Sequence, residues 1–251
     1  MNSATEPLLR SVCALGDDSL LLAQRLGAWC SYGPTLEEDI ALTNTGLDFL
    51  GRARLLYQHA HDCNPKEQGE DYFAYVRDSK EFSNHLIYEM PNGDFAYTMV
   101  RQYLIDLFES WYYAELQNSN YPPLAAIAAK SLKEITYHLK RSVYWIHVLT
   151  NSTKEAKTRF NHAWSSLFPL SAQLFSDREY EVTLIQQNLL PSRQKLSTTY
   201  YREVKQFITH CGCNAPQRLR SASFTLQHHE DFESLISEMR YITNTMPNCK
   251  W

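Results

Sequence analysis

Glycine, long apolar runs and blocks of one charge are all scarce in this sequence. Glycine contributes 8 of 251 residues, so long stretches contain no helix-breaking residue. No apolar run reaches the ~18 residues that a membrane-spanning helix needs, and the N-terminus lacks a basic segment followed by an apolar one. We therefore expect a cytoplasmic protein. The net charge is −4 and no long Lys/Arg block is present, so neither nucleic acid nor a membrane surface is an expected partner.

Metal-binding cysteine patterns are also missing. None of the cysteines forms a C-x-x-C pair, and the C-x-C spacing of Cys211 and Cys213 is too tight for an ordinary zinc site. The six cysteines are Cys13, Cys30, Cys63, Cys211, Cys213 and Cys249. We interpret them as thiols in a reducing compartment.

The composition is that of an ordinary globular protein. Apolar residues make up 44% and charged residues 21% of the chain, which argues against disorder. The length suits one large domain, and we predict a single domain over residues 1–251. Within it, residues 1–14 are predicted to form an irregular or short helical N-terminal segment. Long stretches show the periodicity of helices and none shows the alternation of strands, so the predicted fold class is all-α.

Local signals indicate where helices begin. Thr35-x-x-Glu38 and Asp78-x-x-Glu81 have the spacing of capping boxes, and Pro122 with Pro123 suits a first helical turn. A turn signal follows Met90, before a further helix. The predicted helices are Asp17–Cys30, Thr35–His61, Phe95–Leu116, Pro122–Leu149, Ser152–Phe168, Ser192–His210 and Phe232–Thr245.

The lengths of these helices predict a bundle. Several are far longer than the mean of ~11–12 residues, and short connections join most of them. Long helices with short connections pack as antiparallel neighbours. Residues 62–79 form the longest irregular stretch, which fits the long crossover of a ferritin-like bundle.

A di-iron site is the first chemical possibility in such a bundle. It needs Glu-x-x-His on each of two helices, because i, i+3 spacing places both ligands on one face. The chain contains no Glu-x-x-His. Glu81 with His85 and Glu134 with His138 are i, i+4 pairs, which we interpret as hydrogen-bonded pairs. Without a cluster of carboxylates an iron site lacks its anionic charge, so no metal site is predicted.

The remaining polar pairs suggest structural roles. Asp17 with Asp18, residues 37–39 and residues 230–231 are placed near helix starts, where negative charge interacts favourably with the helix dipole. His228 with His229 is interpreted as a solvated pair. Gly-x-Ser-x-Gly, Walker A and Gly-x-Gly-x-x-Gly are absent, so no catalytic or cofactor-binding residue is predicted.

Aromatic residues are plentiful, at 13% of the chain with 16 tyrosines and five tryptophans. Trp111–Tyr113 and Tyr144–Trp145 fall on long predicted helices. Core packing is the default interpretation of such residues, but tyrosine and tryptophan are also enriched at protein–protein interfaces.

Several stretches resemble one known family in their order and spacing. They are Leu36–Leu42, Gly46–Arg54, Glu81–Asn84, Pro91–Ala96, Arg101–Tyr103, Lys133–Leu139, Glu238–Tyr241 and the terminal Trp251. The chain is similar over nearly its whole length to the C subunits of ring-1,2-phenylacetyl-CoA epoxidase (phenylacetate-CoA oxygenase) complexes. The resemblance implies a ferritin-like helical bundle with extra C-terminal helices, and a structural, non-catalytic subunit in aerobic phenylacetate catabolism.

The same resemblance implies partners and a cofactor outside this chain. A homologous A subunit would carry the di-iron centre and bind the acyl-CoA, and the complex would epoxidise the ring with O₂ and electrons from a reductase subunit. Other subunits of the complex are expected partners, and a homo-oligomer is expected when the chain is alone. No cofactor is expected in the chain itself.

The resemblance further implies where a di-iron site has been lost. The degenerate positions are Ala28, Asn44, Leu47, Ile135 and His138. Most of these side chains cannot bind a metal, and we expect those at 44, 47 and 135 to point inward and fill the space. The carboxylate of the third helix is not placed by the resemblance, although Asp106 lies nearby.

Two alternatives stay open at this point. One is a ferritin-like oxidase with the unusual ligands Glu134, His138, His85 and Glu89. The other is a free-standing helical protein that holds a small apolar ligand between its helices.

Overall fold

The structure is a computed structural model that describes residues 6–66, 68–214 and 226–246. Within these ranges the chain forms helices and turns and no β-strand, which confirms the all-α fold class. None of the described helices is both long and apolar enough to cross a membrane. The chain divides into two compact units: Met1–Pro91 with Leu226–Trp251 (unit 1), and Asn92–Thr225 (unit 2).

Unit 1 is built on two long helices, α1 (Glu6–Gly27) and α2 (Leu36–Cys63), which pack against each other. Because only eight residues connect them, they are antiparallel neighbours. Thr35 caps α2, since its hydroxyl accepts a hydrogen bond from the backbone N–H of Glu38 at 3.3 Å. The helix start predicted from this pair is therefore confirmed.

The packing of α1 on α2 includes one close aromatic contact. A Cβ atom at Gly16 would lie 2.5 Å from the ring of Tyr57, so only glycine allows the ring to lie this close to α1. Buried aliphatic side chains on the two helices include Leu8, Val12, Leu15, Leu22, Leu26, Leu42 and Leu56.

The segment after α2 is largely irregular, as predicted for residues 62–79, but it contains one π-helical turn at Tyr72–Val76. Asp78 and Glu81 form a complete capping box around a short 3₁₀ turn. Asp78 therefore does cap a helical segment, as predicted, but that segment is a single 3₁₀ turn and not a long helix. Helix α3 (Leu86–Glu89) follows.

Unit 2 is built on α4 (Phe95–Leu116) and α5 (Pro122–Asn151), which also pack against each other. The turn before α4 places Gly93 at a φ of +57°, in the left-handed region that glycine adopts without strain. Asp94 caps α4 by accepting a hydrogen bond from the N–H of Tyr97 at 2.9 Å.

Three shorter helices follow in the described part of unit 2: α6 (Lys154–Leu167), α7 (Val182–Gln186) and α8 (Arg193–His210). A 3₁₀ segment at Phe168–Phe175, which the sequence did not predict, follows α6.

The chain then returns to unit 1 with α9 (Phe232–Met239) and α10 (Tyr241–Thr245). The ring of Phe232 meets the ring of Phe82 edge-on at 5.9 Å. Two short helices thus replace the single helix predicted for this region.

Most predicted helix limits agree with the structure. Both ends of α4 are as predicted, and α2, α5, α6 and α8 agree within two residues. The first helix is the exception, because it begins at Glu6 rather than Asp17 and ends at Gly27 rather than Cys30. Residues 6–14 are therefore part of a long helix, and residues 1–5 lie outside the described ranges. The single domain over 1–251 stays a prediction.

The structure describes five of the six cysteines. The five between Cys13 and Cys213 form no disulfide. Cys249 and Trp251 lie outside the described residues.

Candidate functional site

A buried carboxyl group lies between α4 and α5 of unit 2. The side chain of Asp106 on α4 is fully buried. Its Oδ1 accepts a hydrogen bond from Nε2 of Gln102 at 2.6 Å, and its Oδ2 accepts one from the hydroxyl of Ser142 on α5 at 2.9 Å. Neutral donors therefore bind both carboxyl oxygens.

The environment of Asp106 shifts its protonation toward neutral pH. Burial raises the pKa of Asp106 from 3.8 to about 7, because the charged form is poorly solvated. The charge of His138 and the hydrogen bonds from Gln102 and Ser142 lower this pKa, but they do not outweigh burial. The negative charge of the nearby Glu109 acts in the same direction as burial. Asp106 is thus a group that gains and loses its proton near neutral pH.

Two of the predicted degenerate positions lie on α5 of the same unit. Ile135 and His138 are buried as expected, with 1% and 3% of their surfaces exposed. Asp106, which the sequence analysis named as lying near the unplaced carboxylate of the third helix, is buried on α4 of this unit. Together with Glu109 and His138 it does not form a group of ligands that could hold a metal ion.

The three predicted positions in unit 1 do not point inward. Ala28 and Asn44 are exposed, and Leu47 is 58% exposed, so the expectation that residues 44 and 47 point inward is wrong. The cause is helix register: the buried residues of α2 include Thr45, Phe49 and others three or four positions apart, which leaves residues 44 and 47 on the other side. Ala28 lies beyond the end of α1.

The buried side of α2 carries a cation instead of metal ligands. Arg52 is 4% exposed, its Nε donates to the hydroxyl of Ser19 at 3.0 Å, and its guanidinium lies 4.4 Å from the ring centroid of Phe49. The other buried residues of α2 are Leu42, Thr45, Gly46, Phe49, Ala53, Leu56, Tyr57 and Ala60. None of them is a carboxylate or an imidazole, and a fixed positive charge opposes the binding of iron.

Asp17 was predicted at a helix start, but it lies in the middle of α1 and is fully buried. Its Oδ1 accepts a hydrogen bond from the hydroxyl of Tyr57 at 2.7 Å and forms an ion pair with Arg77. Its Oδ2 accepts a hydrogen bond from the backbone N–H of Ser83 at 2.8 Å. Burial and the negative charge of Asp17 raise the pKa of Tyr57.

The neighbouring Asp18 is also buried and pairs with His85. Nδ1 of His85 lies 2.9 Å from Oδ2 of Asp18, and the backbone N–H of His85 donates to Oδ1 at 2.7 Å. The predicted pair of Glu81 with His85 is therefore wrong. The carboxylate of Glu81 instead accepts a hydrogen bond from the N–H of Asp78 at 3.2 Å.

A third buried acid, Glu89, binds the returning C-terminal segment. It accepts hydrogen bonds from Nδ2 of Asn84 at 2.7 Å and from the backbone N–H of His229. Nδ1 of His228 lies 2.8 Å from its carboxylate, and the ring of His228 stacks on Phe232 at 3.7 Å. His228 and His229 are thus partners of Glu89 and not the solvated pair that we predicted.

These side chains do not fit a di-iron centre. Asp17 and Asp18 are already paired with Arg77 and His85, and the buried side of α2 offers no carboxylate. Among the residues that the structure describes, no three His, Cys, Asp or Glu side chains are placed to hold a metal ion. His85 and Glu89, two ligands of the oxidase alternative, have other partners within unit 1. We assign no metal-dependent step to this chain.

An exposed row of apolar side chains on α2 was missed by the sequence analysis. Leu36, Ile40, Leu47 and Leu50 are 74%, 51%, 58% and 39% exposed. Successive members are four, seven and three residues apart, which places them along one side of the helix, as in a helix that packs against a partner helix. We call these four residues the α2 seam. The sequence contained a signal for the α2 seam, because apolar residues lie on both sides of α2.

The aromatic clusters have different environments. Tyr112 and Tyr113 are buried, which agrees with the default interpretation of core packing and not with an interface. Trp111 is half-buried, and its Nε1 donates to Glu203 at 3.2 Å. Tyr144, in contrast, is 61% exposed.

Comparison with known proteins gives consistent results. The profile of the family described as phenylacetic acid catabolic protein matches residues 1–251. The chain is 37% identical over 253 aligned positions to the C subunit of 1,2-phenylacetyl-CoA epoxidase from Escherichia coli strain K12, and the alignment covers 100% of each chain. A match over the whole length shows a shared fold and not merely a shared motif. The chain therefore belongs to the phenylacetic acid catabolic protein family and has its ferritin-like helical fold.

Proposed function

We propose that this chain is the non-catalytic C-type subunit of a phenylacetyl-CoA epoxidase in phenylacetate catabolism. The observation that carries the proposal is the full-length similarity to a protein named as that subunit. In this proposal the chain holds no cofactor. A homologous A-type subunit contributes the di-iron centre and binds the acyl-CoA, and further subunits of the complex supply electrons.

The buried polar residues of unit 1 support a structural role. Arg52 occupies the buried side of α2, and Asp17 and Asp18 are held by Arg77 and His85. A protein that no longer binds metal does not need an open site, so its interior can be packed for stability. Paired charges of this kind give a rigid scaffold.

The α2 seam supports a partner subunit. Four large apolar side chains in one row are costly to leave in water, and contiguous exposed apolar surface of this kind commonly marks an interface. We propose that the A-type subunit covers the seam in the complex, and that a second copy of this chain covers it when the A-type subunit is absent. A cytoplasmic location belongs to the same proposal and is supported by the absence of disulfides among the described cysteines.

The test is co-expression with the A-type subunit, followed by size-exclusion chromatography and a turnover assay with phenylacetyl-CoA. The A-type subunit alone should be poorly soluble or nearly inactive and should recover when this chain is added. Ile40→Asp with Leu47→Asp should weaken association on the order of 100-fold, because it places two charges in the apolar contact.

Val182→Asp is the matched control, since Val182 is also an exposed apolar residue, at 47%, but lies outside the seam. It should leave association unchanged. Full turnover by the A-type subunit in the absence of this chain would defeat the structural role. If Ile40→Asp with Leu47→Asp left association unchanged, the proposal that the A-type subunit docks on α2 would be wrong.

A further inference from the structure

Unit 1 contains a cavity that the structural role does not use. Its volume is about 360 Å³, and it lies between the first turns of α1 and the segment that follows α2. This volume falls within the range of roughly 300–1,000 Å³ that is typical of small-molecule sites.

The walls of the cavity carry an excess of positive charge. Four cations line it, against the two acids Glu6 and Glu81. The cations are Arg10, Lys66, Arg77 and Lys80. Arg77 is ion-paired with the buried Asp17, so three cations face the two acids and the excess is one positive charge. A cavity with this balance attracts an anion.

Arg77 provides a buried donor at this cavity. Its side chain is 4% exposed, and its Nη2 binds Asp17 and Tyr57. The guanidinium lies 4.0 Å from the ring centroid of Phe82, which fixes its position. Its Nε, however, has no hydrogen-bond partner among the described residues. A buried N–H without an acceptor is unfavourable, and an anionic oxygen in the cavity would supply one.

The cavity also has an apolar and aromatic side. Leu9, Phe82 and Leu226 line it together with Tyr72, whose half-buried ring lies 5.0 Å from the ammonium of Lys66. Cys13 adds no charge, because burial and the nearby Asp17 raise the pKa of its thiol to about 12. A charged side and an apolar side therefore lie within one small space.

We propose that this cavity binds a small anion that carries a planar ring. Lys66, Lys80 and Arg77 bind the anionic group, and the ring packs against Tyr72 and the apolar wall. Aryl carboxylates and nucleotides share this chemistry. The site belongs to this chain alone and does not depend on its role in a complex.

Isothermal titration of the full chain at low salt tests the site, with phenylacetate, adenosine 3′,5′-bisphosphate and inorganic phosphate as probes. One ring-bearing probe should bind with a stoichiometry near one and more tightly than phosphate. Binding of phenylacetate would identify aryl carboxylates as the ligand class, and binding of the bisphosphate would identify nucleotides. Lys66→Glu with Lys80→Glu should weaken that binding roughly 10- to 100-fold, because two charge-assisted contacts become repulsive.

Lys130→Glu with Lys133→Glu on α5 makes the same charge change on exposed residues of unit 2 and should leave binding unchanged. Tyr72→Ala should weaken the ring-bearing probe and not phosphate. Should the Lys66/Lys80 double glutamate variant unfold by circular dichroism, the double glutamine variant replaces it. Failure of both ring-bearing probes to saturate the chain would overturn the proposal. Equal losses in the α5 control, or phosphate binding as tightly as the ring-bearing probes, would overturn it as well.

Discussion

The buried acids Asp17 and Asp18 of unit 1 and Asp106 of unit 2 have different kinds of partner. In unit 1, Asp17 and Asp18 each meet a cationic or ionisable partner, Arg77 and His85. In unit 2, Asp106 is equally buried, but its two direct partners are the neutral side chains of Gln102 and Ser142. The first arrangement places a cationic or ionisable group beside the acid, whereas in the second burial raises the pKa of the acid to about 7.

The difference shows that burial alone does not mark a reactive acid. The partner decides whether a buried carboxyl group acts as a fixed charge or as a group that titrates near neutral pH. Asp17, Asp18 and Asp106 are all buried, so burial alone would mark each of them as a candidate catalytic residue. Burial raises the pKa of Asp106 to about 7, and its neighbours do not form a metal site.

The largest effect is expected when a paired acid loses its cation. Arg77→Met leaves Asp17 buried and charged with only hydrogen bonds, and it should lower the free energy of unfolding by ~3–5 kcal/mol. Urea denaturation at pH 7 measures this loss. Adding Asp17→Asn should restore much of the stability, because the uncompensated charge is then removed.

Arg159→Ala is the control for that experiment, because Arg159 pairs with Asp94 and Glu155 on the surface. Its denaturation midpoint should match that of the wild type. Similar midpoints for Arg77→Met and Arg159→Ala would show that the pairing in unit 1 is not what stabilises it.

A smaller and pH-dependent effect is expected at Asp106. Because its pKa is raised in the folded state, the fold binds a proton that the unfolded chain has already lost. This contribution to stability is fully present below pH 3.8 and is lost as the pH rises through about 7. Asp106→Asn should remove this dependence and stabilise the chain at pH 8 by roughly 1–3 kcal/mol.

Denaturation midpoints between pH 4 and pH 8 measure the effect. Asp94→Asn, at a half-buried helix cap, serves as the control and should keep the slope of the wild type. An unchanged slope in Asp106→Asn would show that Asp106 takes up no proton in this pH range.

The smallest effect is expected on the exposed side of α2. Leu47→Ala should change the free energy of unfolding by less than about 0.5 kcal/mol, because its side chain is 58% exposed. Leu42→Ala, on the buried side of the same helix, should cost ~2–5 kcal/mol. Thermal or urea denaturation of the two variants compares them directly, and equal losses would mean that the register of α2 is wrong.

Local signals made most of the fold predictable. Glycine at 93 and aspartate at 94 indicated the turn before α4, and Pro122 indicated the start of α5. These signals act within a few residues, so they can be recognised without knowledge of the tertiary structure. The π-helical turn at Tyr72–Val76 has no comparable signal and was not predicted.

The polar interior could not be predicted, because its partners are far apart in sequence. Asp17 looked like a helix cap since nothing near it suggested Arg77, which is 60 residues away. The prediction that residues 44 and 47 point inward was wrong for a related reason. Both sides of α2 are apolar, and only the tertiary structure shows that Leu47 is on the exposed one. At Ile135 and His138 the surrounding helix has one clear apolar side, and their burial was predicted correctly.

The polar contacts of unit 1 also have a consequence for the order in which the chain folds during synthesis. Asp17 binds residues 40, 60 and 66 positions later, and Glu89 binds His228, 139 positions later. Unit 2 is continuous in sequence, from Asn92 to Thr225, and is inserted between the two parts of unit 1. Since a chain leaves the ribosome from its N-terminus, unit 2 can fold while Glu89 still lacks His228. The helices made first are therefore the last to be completed, and truncation before residue 228 should leave unit 1 unfinished while unit 2 is already formed.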